Sequence, residues 1–347
     1  MEVGDNWSLV GTNATEVLYM SDGITMIAQH MPFFLITDVS AKDGHTFPFE
    51  GILGLSPNVQ TNNYSSLGKA IPLYMEDMMM IENALVGINM FKDTAKPSTL
   101  TIGTLDQTLF RNTSETLADV PWFTVNATDA TFAWNHPIAN FYYGGISFDD
   151  GQPNMGVFDS FWPGIHLPTT EWNYLRNNWT SNANMTYLQC NSTSMKCGYV
   201  GECKYHAEDF YYLAFNFLAD RAYQVSPADY LLDTKTSSGQ NWCQVGVYGS
   251  NTTYFILGDV FMQSLYVMLD YDNSRFALNG PWVPKSQMNN QHYDNGEDGG
   301  AAASKSTVWI IIGCVVGVLI AVAVIGFVIV RRKNKRLQDN LAKYETL

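Results

Sequence analysis

The sequence predicts an all-β ectodomain followed by one C-terminal transmembrane helix. Aromatic residues make up 14% of the 347 residues and charged residues only 15%, against about 25% charged residues in an average domain. Short apolar runs broken by Gly, Pro, Asn and Asp recur along the chain, and long stretches with helical periodicity are few. Helices are expected near residues 66–83 and 170–178. About 300 residues precede the predicted span, enough for a sizeable core and commonly for two lobes.

Two similar hydrophobic turns lie about two hundred residues apart and suggest two related halves. Residues 49–55 read Phe-Glu-Gly-Ile-Leu-Gly-Leu, and residues 255–261 read Phe-Ile-Leu-Gly-Asp-Val-Phe. In each, an apolar run ends on a glycine, which permits close backbone approach where a side chain would collide. Residues 265–279 follow the second copy and read as a strand, a tight Asp-Asn turn and a second strand, which predicts a β-hairpin.

The ordered string from Phe255 to Pro281 closely resembles the C-terminal end of pepsin-like aspartic proteases. Residues 47–57 resemble the family's Phe-Asp-Gly-Ile-Leu-Gly-Leu element, residues 98–106 the strand and turn after it, and residues 17–30 the strand pair after the family's flap. The resemblance covers roughly residues 15 to 283. It implies a bilobal pepsin-like acid protease fold in which the start of the N-terminal lobe is missing.

On this basis the chain divides into five segments. A partial N-terminal lobe is expected over residues 1–140 and a C-terminal lobe over residues 141–284. Residues 285–307 are small and polar without apolar periodicity, which is typical of a flexible stalk. The transmembrane helix is expected over residues 308–330 and a cytoplasmic tail over residues 331–347.

The predicted span is a run of 23 uncharged residues, 308–330. At about 1.5 Å per residue it crosses a hydrocarbon core of about 30 Å, and a buried core helix of this length without charge is rare. Residues 331–336 read Arg-Arg-Lys-Asn-Lys-Arg, and positive charge beside a span marks its cytoplasmic side. We therefore expect a single-pass type I membrane protein whose body is lumenal or extracellular, at the cell surface, endosome, lysosome or vacuole. In the tail, Tyr344–Leu347 resembles a tyrosine-based endocytic signal.

Glycosylation sequons and cysteines fit that topology. Nine Asn-X-Ser/Thr sequons precede the span and predict a glycoprotein: Asn6, Asn13, Asn63, Asn112, Asn126, Asn178, Asn184, Asn191 and Asn251. Four of the five cysteines also precede it, and an even lumenal number favours disulfides over free buried thiols. Four cysteines allow three pairings, among which the sequence does not choose. The family resemblance implies a Cys203–Cys243 bridge, which leaves Cys190–Cys197 as a local clip.

The chemistry of the pepsin-like family needs two carboxylates close enough to share one proton. Residues 155–160 fall where the family's second Asp-Thr-Gly belongs, so the resemblance assigns Asp159 as the catalytic aspartate of the second lobe and Ser160 as its supporting hydroxyl. Phe161 replaces the motif glycine, and a bulky side chain there threatens geometry and access. Asp159 is therefore either a working catalyst or a relic acid that caps a turn.

The family's first catalytic aspartate belongs upstream of the strand pair at residues 17–30. Asp22 mimics that motif superficially, but it sits within this predicted hairpin and too close to Gly51. The first residues also lack the basic start and apolar run of a signal peptide. Both absences fit an incomplete gene prediction, or alternatively a real but incomplete protein that is targeted by its span. We expect no activity from the polypeptide as printed.

Two functions from different classes follow. The first is a membrane-anchored aspartic endopeptidase, which hydrolyses peptide bonds with an aspartate-activated water. The second is a catalytically inactive pseudoprotease that acts as a peptide- or protein-binding module. The net charge of −14 argues against nucleic acid as a partner. The sequence shows no metal motif or phosphate-binding glycine loop, so no cofactor is expected. The expected partners are a peptide or protein and the membrane, and the expected state is a monomer.

Overall fold

The computed structural model describes residues 53–57, 70–93, 95–125, 133–148, 154–217 and 220–287, together with the backbone of three strands within residues 2–41. Contacts group residues 1–295 into one unit and residues 296–347 into another, and all described residues belong to the first. Asp22, the predicted span and tail, and the stalk after residue 287 lie outside the described residues. So do three sequon asparagines, Asn6, Asn63 and Asn126.

The described residues form four α-helices: α1 (Ile71–Asp77), α2 (Thr169–Ser181), α3 (Pro227–Tyr230) and α4 (Asp259–Gln263). Short 3-10 turns lie at Gln107–Leu109, Ala183–Met185, Cys203–Tyr205, Ala207–Asp209 and Lys285–Gln287. The described strands are β1 (Glu2–Val3), β2 (Trp7–Tyr19), β3 (Met26–Ala41), β4 (Leu85–Asn89), β5 (Thr99–Ile102), β6 (Trp122–Thr124), β7 (Trp134–Ile138), β8 (Asn140–Tyr143), β9 (Ile146–Ser147), β10 (Asn154–Phe158), β11 (Ile165–Pro168), β12 (Gln189–Asn191), β13 (Lys196–Val200), β14 (Leu213–Asn216), β15 (Arg221–Val225), β16 (Leu231–Lys235), β17 (Asn241–Val245), β18 (Val247–Ser250), β19 (Phe255–Leu257), β20 (Tyr266–Asp270), β21 (Arg275–Asn279) and β22 (Trp282–Pro284).

The all-β prediction is confirmed, since the described residues are mostly in strands. The helices α1 and α2 lie at the two predicted stretches, whereas α3 and α4 were not predicted. α1 falls inside the segment 66–83, and α2 extends the predicted segment 170–178 at both ends. None of the helices in the described residues is long and apolar enough to cross a membrane. The transmembrane prediction for residues 308–330 stays a prediction.

A five-stranded central sheet has the order β5-β4-β20-β21-β6. It joins strands of the predicted N-terminal lobe to the C-terminal hairpin, since β20 pairs with β4 on one side and with β21 on the other. Every residue of β20 is buried, as expected for an apolar strand in the middle of a sheet. The predicted Asp-Asn turn is present, because the Asp270 carboxylate accepts hydrogen bonds from the Asn273 side chain and from Arg275.

A second five-stranded sheet carries the candidate site and is called the site sheet, with the order β18-β11-β19-β10-β7. β19 lies between β10, to which it is parallel, and β11, to which it is antiparallel. Two further sheets complete this part of the molecule, with the orders β22-β15-β14-β8-β9 and β12-β13-β17-β16. The predicted lobe boundary after residue 140 falls at the first residue of β8 and stays a prediction.

Both disulfides implied by the resemblance are present. Cys190 and Cys197 are directly opposite each other in the β12–β13 hairpin, and their sulfurs are bonded. Cys203 and Cys243 are bonded across 40 residues of sequence, which ties the 3-10 turn after β13 to β17. In the chain-entropy account, the longer loop gives the larger stabilisation, about 4 kcal/mol against about 2 kcal/mol.

Candidate active site

The candidate site is the loop from Asp159 to Gly164, which connects β10 to β11 across the end of β19. Phe158 ends β10 opposite Leu257 of β19, so Asp159 follows the last paired position. The Asp159 N–H donates to the Leu257 carbonyl oxygen at 3.4 Å. Its side chain is half-buried, between the packed strand and the surface.

The Asp159 side chain folds back on its own loop. Its Oδ1 accepts a hydrogen bond from the Phe161 N–H at 3.0 Å, and its carbonyl oxygen accepts one from the Trp162 N–H at 3.2 Å. Ser160 is exposed, and within the described part of the chain its hydroxyl has no hydrogen-bond partner. Phe161, at the position where the family has glycine, is half-buried. The loop is therefore a tight turn that presents a carboxyl and an aromatic ring side by side.

Gly258 lets the chain after β19 cross directly over this loop. A Cβ at Gly258 would collide with the carbonyl oxygens of Trp162 and Gly164, which are backbone atoms and cannot move aside as a flexible side chain can. Gly164 has φ +80°, a conformation that favours glycine, and a side chain there would also meet the Gly246 carbonyl oxygen. The close approach predicted for the second hydrophobic turn is confirmed at Gly258.

Asp259, the residue after Gly258, is hydrogen-bonded to the Asp159 loop. Its Oδ1 accepts hydrogen bonds from the Gly164 N–H at 2.5 Å and from the Val260 N–H at 2.6 Å. Its own N–H donates to the Trp162 carbonyl oxygen at 3.1 Å. The interpretation from sequence missed this residue, although it stands in the second hydrophobic turn.

An aromatic cluster packs against the far side of the loop. The His166 ring lies edge-on to Trp162 at 4.8 Å between centroids and 5.2 Å from the Tyr248 ring. Its Nε2 lies 3.0 Å from the Pro163 carbonyl oxygen. His166 was not predicted as a site residue, because a single histidine on an apolar strand has no motif around it. His166 contacts the loop at Trp162 and Pro163 and does not supply the second carboxylate that the family's chemistry needs.

Burial raises the pKa of the Asp159 carboxyl above its usual range, and the hydrogen bond from the Phe161 N–H partly opposes this shift. Burial likewise raises the pKa of Asp259, against the hydrogen bonds from Gly164 and Val260. Within the described residues, no charged group contributes to either shift. A carboxyl with a raised pKa suits acid–base chemistry, but a shared proton requires a second carboxylate beside Asp159.

We also searched the rest of the described surface for pockets and for clusters of metal-binding side chains. Two open surface pockets, of about 400 and 330 Å³, are both lined in part by Asp233 and include no residue of the Asp159 loop. The described residues contain no cluster of three or more His, Cys, Asp and Glu side chains that could hold a metal ion.

Comparison with known proteins identifies the family of the chain. The family model "eukaryotic aspartyl protease" matches residues 1–279. Aspartic-type endopeptidase ctsD of Aspergillus fumigatus is 24% identical over 303 residues, which are 80% of this chain and 54% of that protein. The "Probable aspartic-type endopeptidase CTSD" of Arthroderma otae is 21% identical over 292 residues, 79% of this chain and 67% of that protein. An "Acid protease" of Saccharomycopsis fibuligera is 37% identical over 81 residues, 23% of this chain and 19% of that protein.

The mostly β architecture of the described residues agrees with the acid-protease class of folds. The chain belongs to the eukaryotic aspartyl protease family. It spans about half the length of the Aspergillus relative.

Proposed function

We propose that this protein is a membrane-anchored aspartic endopeptidase that hydrolyses peptide bonds of protein substrates. The observation that carries the proposal is the Asp159 loop, in which a half-buried carboxyl with a raised pKa is held at the end of β10 by the crossing at Gly258. Family membership and the endopeptidase names of the relatives support the same reaction.

In the proposed mechanism, Asp159 and a second carboxylate share one proton. The ionised carboxylate takes a proton from water as the water oxygen attacks the peptide carbonyl carbon, and the protonated one gives its proton to the carbonyl oxygen. As the tetrahedral intermediate collapses, the carboxyl that took the proton from water gives it to the amine nitrogen and the C–N bond breaks. The other carboxylate takes back the hydroxyl proton as the carbonyl re-forms. Because no charge partner of Asp159 occurs within the described residues, we assign the second carboxylate to a part of the protein outside them.

The alternative is a pseudoprotease that binds peptides or proteins without cleaving them. One observation favours it: Phe161 is half-buried at the position of the motif glycine, and a bulky side chain there threatens the geometry of the site and access to it.

One experiment separates the two. Full-length protein purified from the membranes of the cells that make it is incubated with a denatured protein substrate across the acidic pH range. An endopeptidase gives fragments at acidic pH, and the Asp159→Asn variant gives none. If neither cleaves, the Phe161→Gly variant is assayed next: cleavage by that variant identifies Phe161 as the obstruction, and its absence leaves a binding protein.

The membrane anchor is proposed on the sequence of residues 308–336 alone, an uncharged run followed by five basic residues in six. It predicts that the protein stays in the membrane fraction after washing at alkaline pH and that detergent releases it. Recovery in the alkaline wash would overturn the anchor without bearing on proteolysis.

A further inference from the structure

Two of the nine sequons lie on neighbouring turns of the described structure. Asn191 ends β12 at the start of the hairpin turn to β13, and Asn251 follows β18; both are exposed. The β12–β13 turn contacts β18 two residues before Asn251, because the Gly249 N–H donates to the Met195 carbonyl oxygen at 2.9 Å. We call the surface formed by these two turns the sequon face.

Asn191 is held in a conformation that leaves its amide nitrogen available. Its Oδ1 accepts hydrogen bonds from the N–H groups of Thr193 at 2.8 Å and Ser194 at 3.0 Å. The oxygen is therefore occupied by the turn, and Nδ2 is the free polar atom of the side chain. The Asn251 side chain makes no hydrogen bond with described residues, so both of its polar atoms face solvent.

The sequon face lies at the end of the site sheet remote from Asp159. β10 and β19 are parallel, and Asp159 follows their C-terminal ends, whereas Asn251 precedes the N-terminal end of β19. On the other side of β19, Pro168 at the far end of β11 pairs with Ser250, next to Asn251. A bulky group on the sequon face would therefore leave access to the Asp159 loop open.

We propose that Asn191 and Asn251 carry N-linked glycans, so that the sequon face is a glycan-covered surface of the protein. In the reaction, Nδ2 attacks C1 of the first sugar of a polyprenyl-pyrophosphate-linked oligosaccharide. A C–N bond forms, polyprenyl pyrophosphate leaves, and the amide loses one proton. The proposal rests on the lumenal placement of the domain that accompanies the proposed function.

Asn178 provides an internal contrast with the same motif. It lies within α2 and is half-buried, and its neighbour Trp179 is fully buried. The Thr180 hydroxyl, which completes the sequon, donates to the Arg176 carbonyl oxygen at 3.0 Å. Because a glycan needs open surface, Asn178 is expected to stay unmodified. Asn184 is exposed, but it lies in the 3-10 turn after the C-terminal end of α2 and is not part of the sequon face.

The test uses full-length protein from the cells that make it. Enzymatic removal of N-glycans in heavy-oxygen water converts each formerly glycosylated asparagine into a labelled aspartate, which peptide mass spectrometry locates. The expected result is the label at Asn191 and Asn251 and none at Asn178. Absence of the label from either Asn191 or Asn251 would contradict the proposal that both carry glycans.

Matched variants exclude chemical deamidation as the source of the label. Thr193→Ala removes the sequon but keeps the backbone N–H that Asn191 accepts, whereas Ser192→Ala leaves the sequon intact. Thr253→Ala and Thr252→Ala form the same pair for Asn251. The variants at residues 193 and 253 are expected to lose one glycan each on a gel, and those at residues 192 and 252 to lose none. Equal mobility within either pair overturns the assignment of that asparagine.

The oxidation state of the cysteines distinguishes a failure of the glycan proposal from a failure of the lumenal placement on which it rests. If the native protein shows the Cys190–Cys197 and Cys203–Cys243 bonds but no label on the sequon face, the domain is lumenal and only the glycan proposal fails. If the four thiols are free and no label is found, the lumenal placement fails and the glycan proposal with it. Neither result bears on cleavage by Asp159, which is assayed separately.

Discussion

The two hydrophobic turns that look alike in sequence are held in different ways. In the second, Phe255, Ile256 and Leu257 are buried, and Gly258 is pressed against the backbone of the Asp159 loop. In the first, Leu53 is 48% exposed, and no described atom lies within 4 Å of where a Cβ of Gly54 would be. The first turn is instead anchored at Leu55, whose carbonyl oxygen accepts hydrogen bonds from Trp134 Nε1 at 2.6 Å and from Tyr271 Oη at 2.7 Å.

The difference separates two kinds of restraint. A glycine at a backbone crossing is a steric requirement, because any Cβ displaces main-chain atoms. A carbonyl held by two side chains is a polar restraint, because each hydrogen bond contributes about 1 kcal/mol and can be removed singly. The similar sequences of the two turns therefore predicted the same local structure, but we expect substitutions in the two turns to differ in their effect on the free energy of unfolding.

The largest expected effect is at the crossing. Gly258→Ala places a methyl group against the carbonyl oxygens of Trp162 and Gly164, so the loop or β19 must shift, and we expect a loss of about 3 kcal/mol in the free energy of unfolding. The measurement is denaturant unfolding of the full chain in detergent, followed by tryptophan fluorescence.

Gly54→Ala is the matched control for this substitution. Within the described residues an alanine side chain there meets nothing, so its free energy of unfolding should stay within about 0.5 kcal/mol of the wild type. Similar losses for the two variants would show that the contrast between the turns is wrong.

We expect a smaller loss in the free energy of unfolding at Asp259, whose hydrogen bonds stabilise the crossing at Gly258. Asp259→Ala leaves the N–H groups of Gly164 and Val260 without their acceptor, at a cost of about 2 kcal/mol. Asp259→Asn keeps an oxygen in the same place and should lose less than half of that. Equal losses for the two substitutions in the same unfolding assay would contradict the hydrogen-bond account.

The pH dependence of stability tests the raised pKa of Asp159. A carboxyl whose pKa is higher in the folded than in the unfolded protein binds more protons when folded, so its contribution to stability is fully present below the unfolded pKa of 3.8 and is lost as pH rises through the folded pKa. Relative to Asp159→Asn, the wild type should lose stability in that window, by at most about 1.4 kcal/mol per pH unit. Parallel pH profiles for the two proteins would rule out the shift.

Much of the fold was predictable because its signals are local. The Asp-Asn turn between β20 and β21 needs only Asp270, Asn273 and their neighbours, and the approach at Gly258 needs only a glycine after a buried strand. Asp159 was singled out by its resemblance to a family motif. The structure shows that it follows the last paired residue of β10, and its catalytic role stays a prediction.

What could not be predicted depends on contacts between distant residues. The partners of Asp259 include Gly164, 95 positions earlier, and no sequence pattern links them. His166 carries no motif, and only its position between Trp162 and Tyr248 shows that it fixes the loop. The cysteine pairing was implied by the family resemblance and not by the sequence alone, because Cys190 meets Cys197 through the register of β12 and β13.

The smallest expected effect concerns the anchor of the first turn. Tyr271→Phe removes only the hydroxyl that donates to the Leu55 carbonyl oxygen, and the ring keeps its edge-on contact with Trp134 at 5.0 Å. Because Trp134 Nε1 still donates to the same oxygen, the carbonyl is not left without a partner, and we expect a loss of about 1 kcal/mol. The free energy of unfolding measures it.

The control for this substitution is Tyr174→Phe, since Tyr174 is 58% exposed and should lose nothing measurable. If Tyr271→Phe is costly while Gly54→Ala is not, the first turn is held by its carbonyl and not by its glycine. If Tyr271→Phe matches the control, the two hydrogen bonds at Leu55 do not stabilise the turn. The similarity between the two turns would then have to be explained by residues outside the described part of the first.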